Sequence, residues 1–151
     1  MEHLLRIEHI GIAVKNLSTA EKIYGNLLGT ASYKREEVES EGVITSFFRA
    51  GGNKIELLES TKPDGPIAKA IEKRGEGIHH IAFEVADIEA EMERLRSLGF
   101  QLLNEKPKRG ADNKFVCFIH PKSTNGVLVE LCQEIRSDGS DKALSGGNDQ
   151  P

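Results

Sequence analysis

Apolar and polar positions alternate with a period of two over residues 7–14. Ile10, Ile12 and Val14 share one face of an extended strand, and His9, Gly11 and Ala13 share the other. The same alternation returns over residues 78–85, with Ile81, Phe83 and Val85 against His80, Ala82 and Glu84. After each strand the spacing of apolar positions lengthens to three and four, the period of a helix with one apolar face. Ala20, Ile23, Tyr24, Leu27 and Leu28 form the first stripe, which Asn16 or Ser18 can cap and Gly29 stops. Ile88, Met92, Leu95 and Leu98 form the second, between a capping Asp87 and Gly99. Strand-like runs follow each helix: 31–38, 43–50 and 54–59, then 101–105, 115–120 and 127–131. Gly42, Gly51-Gly52, Gly110 and Asn125-Gly126 separate them as turns. Each half therefore reads β-α-β-β-β, and the chain is of the α+β class.

The two halves are one pattern written twice. Ile7-Glu8-His9-Ile10-Gly11-Ile12-Ala13-Val14 reappears as Ile78-His79-His80-Ile81-Ala82-Phe83-Glu84-Val85, and Ile55-Glu56-Leu57-Leu58 as Val129-Glu130-Leu131-Cys132. The repeats run over about 5–60 and 77–134, within one domain of residues 1–136. Lys62-Pro63-Asp64-Gly65 is a turn, and Pro66 opens a short linker helix over about 66–75. Residues 137–151 are rich in Ser, Gly and Asp, and are expected to be a disordered tail.

Composition narrows the function classes. A net charge of −4 argues against a general nucleic-acid binder. No apolar run is long enough to cross a bilayer. The first residues lack a signal-peptide pattern, and Cys117 and Cys132 have no paired-motif spacing. The chain reads as a cytoplasmic protein with reduced thiols, without a nucleic-acid or membrane partner.

Each repeat opens on a strand with a histidine and closes on one with a glutamate. His9, Glu56, His80 and Glu130 thus stand at pseudo-symmetric places. A strand histidine or glutamate taken singly is more often structural or solvated. Their repetition favours a metal site, and a glutamate in a short apolar strand is costly to bury without a partner or cation. Two imidazoles and two carboxylates suit divalent Zn, Co, Ni or Mn. The small residues flanking His9 are expected to leave open space before its ring. His79 should point to the opposite face, and His120 and His3 are weaker candidates.

Lys106, Lys108, Arg109, Lys114 and Lys122 fall in predicted loops or at their edges; each taken singly reads as a solvated loop residue, and together they could hold a phosphate-bearing substrate at the rim. The loop His120-Pro121-Lys122-Ser123 could offer backbone N–H, Lys122 and Ser123 donors to a substrate carboxylate or oxyanion.

With these residues in view, the chain resembles the vicinal-oxygen-chelate superfamily, and within it the methylmalonyl-CoA epimerase family. The segments 9–14, 54–59 and 77–85 carry the likeness, and His120-Pro121-Lys122-Ser123 followed by Gly126-Val127-Leu128-Val129-Glu130-Leu131 is its more specific part. The resemblance spans about residues 5–133. It implies a cup-shaped sheet around a metal site, an acyl-CoA substrate, a homodimer, and a divalent cation, cobalt first among the candidates. It implies His9, His80 and Glu130 as ligands, with Glu56 in a place where some members have glutamine. The implied reaction is interconversion of the C2 epimers of methylmalonyl-CoA by 1,1-proton transfer through a metal-stabilised enolate.

Epimerisation needs proton removal on one face and delivery on the other. Glu130 could serve as one acid/base group. Some members place a second glutamate after a Gly-Val pair, and here Thr45 holds that position, on the substrate side. Threonine is no general base at neutral pH. Glu56 or a water would have to replace it, and Glu39 and Glu41 lie nearby. The competing readings are a glyoxalase I (lactoylglutathione lyase), which shares the ligand pattern, and a non-catalytic small-molecule-binding protein of the same fold.

Overall fold

The computed structural model describes residues 3–136. The tail expected over 137–151 lies outside the described residues. The strands are β1 (Leu4–Ala13), β2 (Lys34–Val38), β3 (Val43–Ala50), β4 (Asn53–Ser60), β5 (Gly77–Val85), β6 (Lys108–Gly110), β7 (Lys114–Ile119) and β8 (Val129–Glu134). The helices are α1 (Leu17–Leu28), α2 (Pro66–Arg74) and α3 (Ile88–Ser97). Short 3-10 turns occupy Glu39–Glu41 and Pro121–Ser123. No helix among the described residues is long and apolar enough to cross a membrane.

The chain forms two compact units, Ile7–Ala82 and the remainder. In the first, the strand order is β2-β3-β4-β1-β5. β1 and β4 run parallel, and β3 is antiparallel to both β2 and β4. Alternation decides which side chains meet which helix. Val14, Leu17, Ala20, Phe48 and Leu57 are buried together, with α1 supplying Leu17 and Ala20. Leu58 faces the other way and packs with Ala13, Val43 and Ile67 of α2. Asn16 caps α1 by accepting from the Thr19 N–H, and Gly29 ends it in the left-handed conformation. The expected apolar stripe of α1 is only partly core: Ile23 and Leu27 are 58% and 71% exposed.

The second unit takes the far end of β5 with β8, β7 and β6. Its core joins Val85, Ile88, Met92, Leu95, Phe115, Cys117, Ile119, Val129 and Leu131. Asp87 caps α3 by accepting from the Ala90 N–H. Cys117 and Cys132 are buried and form no disulfide, and burial pushes the Cys117 thiol up to about 11.

This unit corrects one expectation. Residues 101–105 are not a strand; they contribute only the isolated bridge Leu102 to Ile119. The physical reason is Asn104, whose side-chain oxygen accepts from the Phe118 N–H and takes the donor a ladder would use. The edge strand forms instead at Lys108–Gly110, which the sequence pattern assigns to a loop.

Candidate metal centre

The centre is built on the middle of the first unit. Parallel pairing sets His9 of β1 opposite Lys54 of β4, and Gly11 opposite Glu56. Glu56 in turn lies opposite Phe47 of β3. His9, His80 and Glu56 are all buried, at 5%, 5% and 4% exposure. The Nε2 atoms of His9 and His80 lie 3.0 Å apart, with the rings edge to face.

Gly11 makes this approach possible. A Cβ there would lie 2.2 Å from Cε1 of His80. The small residue beside His9 therefore does not leave open space before its own imidazole, as the alternation suggested. The ring of His80 fills that space. Two nitrogens bound to one tetrahedral ion at about 2.0–2.1 Å are about 3.3 Å apart, and two adjacent octahedral positions at a similar bond length are about 2.9 Å apart. The observed separation of 3.0 Å falls between these values, so the pair fits a divalent cation of the kind imidazole favours.

Burial holds both second-repeat histidines neutral, the form that binds metal. His80 is pushed well below 6.5, by burial first and then by His9 and His79. His79 is pushed down to about 4, by burial and then by the nearby Arg74. His79 is not turned away from the centre: its Nδ1 lies 2.9 Å from Nδ1 of His80.

Glu56 meets His9 on the other ring nitrogen, with Oε2 3.1 Å from Nδ1. A second carboxylate reaches the same nitrogen. Glu8 places Oε1 2.8 Å from Nδ1 of His9, and its other oxygen lies 2.9 Å from Nζ of Lys54. Glu8 is fully buried. Glu8, His9 and Glu56 form a buried group with ligand atoms close enough to hold a cation. Sequence reasoning passed over Glu8 and Lys54. The signal was present, since Glu8 interrupts the apolar side of β1, but its partner Lys54 becomes visible only through strand register.

Thr45 is buried on β3, opposite Leu58 on one side and Glu36 on the other. Glu39 and Glu41 lie in the 3-10 turn after β2. Glu130 belongs to the other unit, buried on β8 opposite Phe118, while Val129 and Leu131 join the core beside α3.

The loop over 120–123 is more self-contained than its sequence suggests. The Lys122 N–H donates to the His120 ring, and the Ser123 N–H donates to the His120 carbonyl. Ser123 Oγ accepts from the Gln101 N–H. Side-chain donors of this loop outside those contacts include the Lys122 ammonium, the Ser123 hydroxyl proton and the Nε2–H of His120, whose Nδ1 is the acceptor. The basic cluster also divides. Lys114 is buried on β7 and pairs with Glu134 at 3.4 Å, so it is no rim residue. Lys108 and Arg109 lie over the rings of Phe118 and Phe115.

Residues 8–118 match the model of the Glyoxalase/Bleomycin resistance protein/Dioxygenase superfamily. The chain belongs to this superfamily. Within it, the chain is 42% identical over 130 residues to the ethylmalonyl-CoA/methylmalonyl-CoA epimerase of Cereibacter sphaeroides, covering 85% of this chain and 97% of the relative. A variant of the Streptomyces coelicolor methylmalonyl-CoA epimerase, solved with 2-nitronate-propionyl-CoA, matches with a TM-score of 0.84 at 35% identity, covering 88% of this chain and 99% of that one. A methylmalonyl-CoA epimerase solved with methylmalonyl-CoA and ammonium matches with a TM-score of 0.83 at 36% identity, covering 87% and 95%. These relatives place the chain in the epimerase branch of the superfamily, a branch of isomerases.

Proposed function

We propose that this protein interconverts the C2 epimers of methylmalonyl-CoA with a divalent cation held by His9, His80 and Glu130, and that Glu56, which here meets Nδ1 of His9, turns from that nitrogen to become a fourth ligand. The observation that carries the metal part is the buried His9–His80 pair, with facing Nε2 atoms 3.0 Å apart. Likeness to named epimerases over most of the chain supports the substrate. Glu130 enters through the sequence repeat, as the counterpart of Glu56 on its own buried strand.

The α-proton of the substrate lies between a thioester and a carboxylate. A bound divalent cation would act as a Lewis acid on the oxygens where charge develops. The chain's own residues do the rest. Glu130 takes the proton on one face. The Lys122 ammonium and the Ser123 hydroxyl bind the substrate's anionic end. Burial around His9, His80 and Thr45 excludes water and strengthens each charge interaction. Thr45 contacts the substrate without serving as a base, so delivery on the second face falls to Glu56 or to a water.

Conversion of one epimer into the other should stop on chelation and return when Co(II) is added. Full conversion by chelated protein would overturn the metal part and leave the substrate assignment standing.

A further inference from the structure

We infer that Glu8, anchored by Lys54, is a positioning residue that fixes the tautomer of His9 and presets its Nε2 as a ligand. This rests on the metal reading above and deepens it. Glu8 is fully buried and Lys54 nearly so, with 12% of its side chain exposed. The Lys54 ammonium donates to Oε2 of Glu8 at 2.9 Å, which leaves the other oxygen, Oε1, turned to the ring of His9. Oε1 therefore accepts from Nδ1–H of His9 at 2.8 Å. With the proton fixed on Nδ1, the lone pair of Nε2 is left facing His80.

Glu56 also touches Nδ1, at 3.1 Å. Glu8 is tied through its second oxygen to Lys54, and Glu56 is the carboxylate proposed to turn to a cation. A cation lodged instead between Glu8, His9 and Glu56 would sit beside the Lys54 ammonium, and like charge opposes it.

The two histidines are then prepared differently. Nε2 of His9 is an acceptor, so the 3.0 Å contact requires Nε2–H on His80. His9 is thus the ligand whose nitrogen is preset, and the geometry assigns no such partner role to His80.

The test uses the full chain. In metal-free wild type, 15N-histidine NMR should show His9 as the Nδ1–H tautomer. An Nε2–H tautomer would overturn the inference without any variant. Co(II) titration followed by visible absorbance then compares wild type with Glu8→Gln and with the double variant Glu8→Leu/Lys54→Met, which removes both charges of the pair together. Loss of an orienting partner typically lowers metal affinity about 10–100-fold, and both variants should show this. A double variant that folds and binds Co(II) as wild type does would make the pair purely structural and overturn the inference. Wild type that binds no Co(II) would sink the metal reading, while the tautomer measurement would still decide the role of Glu8.

Discussion

Gly11 of β1 sits against the imidazole of His80, and a methyl group on its Cα would lie 2.2 Å from Cε1 of that ring. The contact joins the opening strands of the two repeats and sets how closely His80 can approach His9. Gly11→Ala should therefore displace the ring. We expect Co(II) affinity to fall at least about tenfold, the low end of the loss seen when a ligand's orientation is disturbed. Isothermal titration in wild type and variant checks this. Unchanged affinity would mean that the ring has another seat.

The buried histidines carry a pH signature in the metal-free protein. His79 stays neutral in the folded state down to about 4, whereas its ordinary value is 6.5. Between these values the unfolded chain takes up a proton that the folded chain does not, so stability falls as pH falls. The contribution is complete above about pH 6.5 and is progressively lost toward about 4. His79→Gln should flatten the thermal midpoint against pH across this window. A variant with the same slope as wild type would show that other groups set it.

Thr45, which the resemblance to the epimerases sets where some members have a glutamate, is buried opposite Leu58 and Glu36 in register. Thr45→Glu should preserve or raise proton exchange on one face of the substrate if the position is the second base site. Epimer-specific exchange rates check this, with metal content measured alongside. Loss of exchange with the metal retained would make the position structural.

Much of this was legible from the alternation of apolar and polar residues. The pattern around His9 and His80 marks both strands, and the stripe closed by Asp87 and Gly99 marks α3. Alternation failed where side chains replace backbone partners, as Asn104 does at Phe118. It also could not foresee that Ile23 and Leu27 of α1 are exposed, because an apolar stripe wider than its partner surface leaves a margin. At the centre, residue type singled out His9, His80 and Glu56. Glu8 and Lys54 stayed hidden because their link depends on which residue of β4 faces His9, and register is not written locally in either strand.

The most direct measurement is solvent-deuterium incorporation at C2 of methylmalonyl-CoA, run beside a lactoylglutathione-forming assay with methylglyoxal and glutathione. An epimerase should incorporate deuterium at C2 with interconversion of the epimers, and form no lactoylglutathione. Lactoylglutathione formation without exchange at C2 would contradict the proposed function and assign the same histidines to glyoxalase chemistry. Neither activity in cobalt-loaded protein would contradict it equally, and would leave a binding protein of this fold.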